Sequence, residues 1–375
     1  MSASPPHDRS DFHVAIICAL KIEADAVYSL LDKDWNDEGH DYGKDKNDTN
    51  SYTLGSIGQH NVVIVRLSGM GSIRASTAAG NLNLSFPNIT LALVVGVCGG
   101  VPTPSNDRSI FLGDLVLSSR VVQYGFGRQY PDRFERKGGS DDSLPEPRAS
   151  IRNFLGKLDS VRYHRKLLYE LDRGLKDLEN KGTGVSYPGA ERDHLYDPKF
   201  VHKHRQPGVC AVCDGEDASG CHVAAKETCQ ILGCNQDENI IRYGRTIDRH
   251  ESPIKHIPEV HVGTIGCGDM VIKSAVHRDQ LAEQDGVIAF EMEGAGIWDR
   301  FASIIVKGVC DYADSHKNKE WQPYAAAVAA VGTKALLSLW TTTTDLTPVA
   351  PSDAIASKYA YRVHELNLRF SRITS

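Results

Sequence analysis

Three carboxylates in the last quarter of the chain have the types and spacing to do chemistry. Two lie in Ala289-Phe290-Glu291-Met292-Glu293-Gly294-Ala295-Gly296, and the third, Asp311, opens Asp311-Tyr312-Ala313-Asp314. Between them, Ser303-Ile304-Ile305-Val306-Lys307-Gly308-Val309 is a β-branched run short enough for a buried strand, which puts Asp311 just beyond its carboxyl end. Open α/β sheets bind ligands along that rim, so carboxylates delivered there read as a site. Spacing alone leaves a second reading open, in which Glu291 and Glu293 begin a helix and complement its positive end.

The elements that must position these acids follow from periodicity. His13–Cys18 reads as a first strand running into a helix from Ala19 to Asp25; Asn61–Leu67 is a second strand and Leu91–Val95 a third. The second is followed by Ser68-Gly69-Met70-Gly71-Ser72 and a helical stretch from Arg74 to Leu84. The third is followed by Gly96-Val97-Cys98-Gly99-Gly100. Both glycine-rich stretches read as turns whose amides can approach a ligand, with Gly71, Cys98 and Gly99 at the contact. Neither matches the dinucleotide or Walker pattern. Gly113–Ser118 and Val121–Gly125 continue the strand pattern. Order then breaks from about residue 130 to 257, an insertion whose one clear helical segment is Ile151–Leu178. It resumes at Val260–Gly266 and ends in an alanine-rich helix, Pro323–Trp340. One domain over residues 12–345 is expected, with 346–375 a linker and a further helix at Asp353–Phe370.

Composition sets bounds on these readings. With 375 residues and 41% apolar content the chain can bury a sizeable core. No apolar run approaches the roughly 18 residues that cross a bilayer, and Met1–Asp11 lacks the apolar core of a secretion signal, so a cytoplasmic or nuclear protein with mostly reduced thiols is expected. A net charge of −6 argues against non-specific nucleic-acid binding. Five of the nine cysteines fall in the insertion: Cys210, Cys213, Cys221, Cys229 and Cys234, with His202, His204 and His222 nearby. Cys210 and Cys213 have the two-residue spacing that zinc sites favour, whereas Cys221 and Cys229 are too far apart for a standard finger. Structural zinc on Cys210, Cys213, Cys221 and Cys229 and a loop of reduced thiols both fit. No catalytic cofactor is called for.

Seven motifs in order carry a resemblance. They are Ala-Leu-x-x-Glu at 19–23, Ser-Gly-Met-Gly at 68–71, Gly-x-Cys-Gly-Gly at 96–100, Gly-Asp at 113–114, Cys-Gly-Asp at 267–269, Phe-Glu-Met-Glu-Gly-Ala at 290–295 and Cys-Asp-Tyr-Ala-Asp at 310–314. Together they resemble the type I nucleoside phosphorylase superfamily, nearest in shape to its methylthioadenosine/S-adenosylhomocysteine nucleosidase branch. Cys310–Lys319 with Trp321–Ala325 is similar to fungal members found as effector domains of nucleotide-binding receptors. The match covers about residues 12–130 and 258–340. It implies a three-layer α/β/α domain with a twisted mixed central sheet, and cleavage of an N-glycosidic bond at the sheet's rim. Asp311 then resembles the general acid at purine N7, Glu23 the residue that orients water, and Glu293 the ribose clamp. Met292 is expected under the sugar, and Phe290 and Val271 at the base. A homo-oligomer is implied as well.

Glycoside chemistry needs that much. A cation-like sugar asks for a carboxylate, and a poor leaving group asks for an acid, so two carboxyl groups with separated pKa values are the minimum. A phosphorylase must also hold a phosphate dianion with arginines. Here Val94 and Val97 stand where purine phosphorylases carry arginine and serine, which favours water as the acceptor. Lys203, His204, Arg205, Arg242, Arg245 and Arg249 with Lys317 and Lys319 would suit a 5′-phosphate, as in AMP or ATP, if they face the site. Otherwise they are a solvated charged loop. Phosphorolysis, and a binding module without turnover, are the competing readings.

Overall fold

Val14–Cys18 (β1) is buried along its whole length, as a continuous apolar strand in the middle of a covered sheet must be. The structure is a computed structural model and describes residues 3–104, 108–139, 142–215, 221–234, 239–240 and 257–341. After β1 the strands are β2 (Lys33–Asp34), β3 (Tyr52–Ile57), β4 (His60–Arg66), β5 (Leu91–Gly100), β6 (Leu115–Gln123), β7 (Gly127–Gln129), β8 (Phe134–Arg136), β9 (Val260–Cys267), β10 (Val287–Glu291) and β11 (Ser303–Asp311). Strands β7 and β8 form a separate ribbon. The other nine make one mixed sheet in the order β10-β9-β6-β11-β5-β1-β4-β3-β2. Strand β10 also pairs antiparallel with β5, Ala289 opposite Gly100 and Phe290 opposite Gly99. That pairing curls five strands into a closed ring.

The ring decides where the site lies. Gly99 of β5 is the register partner of both Phe290 and Asp311, because a bulge between Val309 and Asp311 carries β11 past it. The Gly96–Gly100 stretch, expected as a turn, is therefore the end of β5. Its glycines let three backbones converge, a use of glycine that local patterning does not distinguish from a turn.

Helices cover the sheet. They are α1 (Lys21–Tyr28), α2 (Ser72–Ser85), α3 (Ala149–Leu158), α4 (Val161–Asn180), α5 (Ala211–Asp214), α6 (Cys229–Leu232), α7 (Ala275–Asp285), α8 (Gly294–Trp298) and α9 (Gln322–Leu339). Helix α9 begins with Pro323 in its first turn, where no amide is needed. It packs on β5, β6 and β11, with α1 and α4 beside it, while α2 meets α8. The helical segment expected at Ile151–Leu178 is two helices. Ser160 turns extended (ψ 140°), and the break lets Leu155 and Leu158 of α3 and Leu167, Leu171 and Leu178 of α4 all face the core.

The compact unit ends at Trp340. The helix expected at Asp353–Phe370, and Arg242, Arg245 and Arg249, lie outside the described residues. Among the described residues no helix is long and apolar enough to cross a membrane.

Candidate active site

Lys307 organises the acids. It sits in β11 at 1% exposure, with Nζ 3.2 Å from Glu293 Oε2 and 3.6 Å from Glu291 Oε2. A buried ammonium persists only if paired. Burial pulls the Lys307 pKa down, but the carboxylates of Glu293, Glu291 and Glu23 outweigh it and hold the group above its ordinary value. Glu291 accepts hydrogen bonds from the amides of Glu293 and Gly294 and so caps α8. Burial pushes its carboxyl up, opposed by Lys307. The helix-start reading thus applies to Glu291, whereas the Glu293 carboxylate is engaged by Lys307 and the Gly71 amide.

Glu293 Oε1 accepts the Gly71 amide at 3.2 Å. Gly71 caps α2 with φ 111°, a conformation open to glycine. Beside it Asp269 accepts from the Ser72 amide and hydroxyl, a carboxylate at a helix N-terminus. This contact ties the Cys267-Gly268-Asp269 loop to the Ser68–Gly71 loop across most of the chain.

Glu23 is 2% exposed, in the first turn of α1. Its Oε2 accepts the amides of Ala19 and Leu20 at 2.9 and 2.8 Å, and its Oε1 accepts that of Val97 at 2.8 Å. Burial raises its pKa above 4.5, against the pull of Lys307 and of these amides. A Cβ at Gly96 would come within 2.1 Å of Glu23 Oε1. Gly96→Ala should therefore push the carboxylate aside and cost about 10²-fold in kcat/KM, the scale of an ångström's misplacement at a reacting centre. Near wild-type kcat/KM in this variant would remove Glu23 from the chemistry.

Asp311 ends β11 at 6% exposure. Its Oδ1 accepts the Ala313 amide at 2.9 Å, and Lys317 Nζ stands 3.1 Å from Oδ2. Ala313 has φ 52°, a left-handed conformation costing roughly 1–2 kcal/mol for a residue with a Cβ. The strain aims the Ala313 amide back at Asp311.

One cleft of about 230 Å³ gathers these groups. Glu23, Val97, Cys98 and Gly99 line one side, Phe290, Met292 and Glu293 another, with Asp311, Lys317 and Val271 completing it. Gly71 meets it through Glu293. Val271 is about half exposed. Every residue expected to act on substrate thus touches this cleft or its wall. Two others were not singled out from the sequence. Tyr124 also lines it, edge-on to Phe290 at 5.7 Å, with its hydroxyl donating to the Met270 carbonyl. Lys307 had a readable signal, a lone cation inside an apolar strand.

A second cavity of about 430 Å³ adjoins, sharing Cys310, Asp311 and Lys317 and lined further by Arg192, His194 and Trp321. The insertion forms its wall. Tyr196 stacks on His316 at 4.0 Å, and Tyr312 donates to Asp193 at 2.5 Å. Of the expected cations, Lys317 faces both cavities. Lys203 instead donates to the Cys213 carbonyl, and Arg205 lies over the Phe200 ring. The four cysteines weighed for one zinc are divided: Cys210, Cys213 and Cys221 gather around His204, while Cys229 joins Cys234, His202 and His316.

Comparison with known proteins follows the same outline. An NLR-like protein of the nucleotide-binding leucine-rich repeat type from Hyaloscypha variabilis is 34% identical over 335 residues, covering 88% of this chain and 29% of that protein. The chain thus spans under a third of that relative's length. The 5′-methylthioadenosine/S-adenosyl homocysteine nucleosidase of Helicobacter pylori shares the fold at TM-score 0.51 and 12% identity, over 88% of this chain and all of that one. Futalosine hydrolase of the same organism does so at 0.50 and 13%, over 88% and 99%. The phosphorylase superfamily model matches residues 13–322, a span that holds every carboxylate of the cleft, and the chain belongs to that superfamily.

Proposed function

We propose that this chain is an N-ribosyl hydrolase that releases a purine base, adenine, from a nucleoside or 5′-nucleotide with water as acceptor. The observation that carries the reading is the buried Glu23 carboxylate, held by three amides in the same cleft as Glu293 and Asp311. In this scheme Glu293 holds the ribose hydroxyls. As the bond from C1′ to N9 lengthens, the sugar gains positive charge that the carboxylates stabilise. Asp311 passes a proton to N7, Glu23 takes one from water, and the water oxygen bonds to C1′. Phosphate fits less well. Glu23 already occupies the Val97 amide, and Lys317 is the one cation among the described residues lining the cleft. A dianion there would face a carboxylate with little to pair it.

Lys317 bears on the substrate. Its ammonium stands 3.1 Å from Asp311 Oδ2, so proton transfer from that oxygen needs the two to part. An anionic 5′-phosphate that drew the ammonium away would release Oδ2, which favours AMP or ATP over the free nucleoside. In its biological setting the chain then acts as the nucleotide-cleaving part of a larger receptor-like protein, working as a homo-oligomer.

Free base released from adenosine, methylthioadenosine, AMP or ATP without phosphate is the expected result. A strict phosphate requirement would make the protein a phosphorylase, and no base from any substrate would make it a binding module. Because the water-activating Glu23 must be ionised and its pKa is raised, activity should fall on acidification with a limb above pH 4.5. The Glu23→Gln variant should lose most turnover; wild-type turnover with an unshifted limb would contradict this role.

A further inference from the structure

We propose that the insertion holds two zinc ions, one on His204, Cys210, Cys213 and Cys221 and one on His202, Cys229, Cys234 and His316. In each group the four ligand atoms lie within 4.8 Å of one another. With zinc–sulfur bonds of about 2.3 Å and zinc–nitrogen bonds of about 2.0 Å, a tetrahedral site has sulfur–sulfur edges of roughly 3.8 Å and sulfur–nitrogen edges of roughly 3.5 Å. Cys210 and Cys221 are 3.7 Å apart, and His204 Nδ1 is 3.3 and 3.9 Å from Cys213 and Cys221. In the second group Nδ1 of His202 is 3.6 and 3.5 Å from Cys229 and Cys234, and Nδ1 of His316 is 3.7 Å from Cys229. These are zinc edges. A disulfide would need sulfurs about 2.05 Å apart.

The surroundings support the second site independently. His202 Nε2 meets the Glu227 carbonyl at 3.0 Å and His316 Nε2 meets that of Phe200 at 2.7 Å. Each Nε2 must donate to its carbonyl, so each Nδ1 presents a lone pair to the cluster, the arrangement that orients metal-bound histidines. In the first site the amides of His204 and Ala224 point at Cys213 and Cys221 sulfurs at 3.4 and 3.3 Å, as donors to thiolates do. Among the described residues the cysteine-bearing part of the insertion, residues 210–234, has little apolar core of its own. Its own core is Cys213, Cys221, Ala224 and Leu232, with Cys210 and Cys234 packed against it. So small a set of apolar groups does not hold a fold without a staple.

Three ligands of the second site come from the insertion and one, His316, from the loop that begins at Asp311. The first ion staples the stretch from His204 to Cys221; the second fastens the insertion to the loop that begins at Asp311. Binding displaces the thiol protons, leaving zinc on thiolates and neutral imidazoles. Metal content can be read whether or not the chain cleaves nucleotides, so this inference and the hydrolase reading fail separately.

Elemental analysis of the purified full chain, expressed with zinc, should find two zinc per chain. Cys213→Ser and Cys234→Ser should each retain one. X-ray absorption at the zinc edge on the unaltered protein, which needs no variant to fold, should find a four-ligand shell of sulfur and nitrogen in the ratio five to three, the total over the two ions. One zinc or none, a shell dominated by oxygen, or content unchanged in both variants would overturn the proposal.

Discussion

Asp311→Asn is expected to lower kcat by about 10³–10⁴-fold, toward the upper end of what general-acid assistance contributes. The amide keeps the acceptor that meets the Ala313 amide, so the loop with its left-handed residue should hold its shape. It cannot pass a proton to N7. It also ends the ion pair with Lys317, so affinity for a 5′-nucleotide should be kept or improved while turnover collapses. Single-turnover release of base, with Kd measured by calorimetry, separates the two effects. Unchanged kcat would sink the assigned role, and a loss confined to Kd would make Asp311 a binding group only.

Lys307→Met should cost about 3–5 kcal/mol of stability, because it strands the carboxylates of Glu291 and Glu293 in the interior. The sign with pH is informative. In the wild-type chain Lys307 is held above its ordinary pKa, so its stabilising contribution is complete at neutral pH and is lost only as pH rises through that raised value. Without the ammonium the buried Glu291 carboxyl is pushed further up, and protonation relieves it. The deficit should therefore shrink as pH falls from 8 toward 5. Urea unfolding across that range tests this, and a deficit constant with pH would mean that packing, not charge, explains the loss. An effect under about 1 kcal/mol would show that the carboxylates reach water another way.

Much of this architecture was legible locally. The strands at Val14–Cys18, His60–Arg66 and Val260–Cys267 and the long helix Gln322–Leu339 follow from largely apolar or alanine-rich stretches. Strand Tyr52–Ile57 was not, because Thr53, Gly55 and Ser56 dilute its pattern. Its pairing with β4 through Gly58 and Gln59, Ile57 opposite His60, is what makes it a strand. Ser160 looks like any serine on a helix, and only the two leucine faces it separates explain the break.

By itself, the sequence determined the chemistry at hand: buried strands, glycine-rich stretches beside them, and carboxylates at their ends, in an order that marks the superfamily. Which carboxylates meet was a tertiary matter. Glu23 and Asp311 share a cleft because β5 lies between β1 and β11 and ends in glycines narrow enough for both. Their separation along the chain carries no distance. The same holds for the cysteines. Local spacing grouped Cys229 with Cys221, but His316 lies far beyond any local motif and reaches Cys229 only because Phe200 and Tyr196 stack on it. Short-range patterns follow from backbone geometry, whereas a site built across a sheet depends on packing that no single segment encodes.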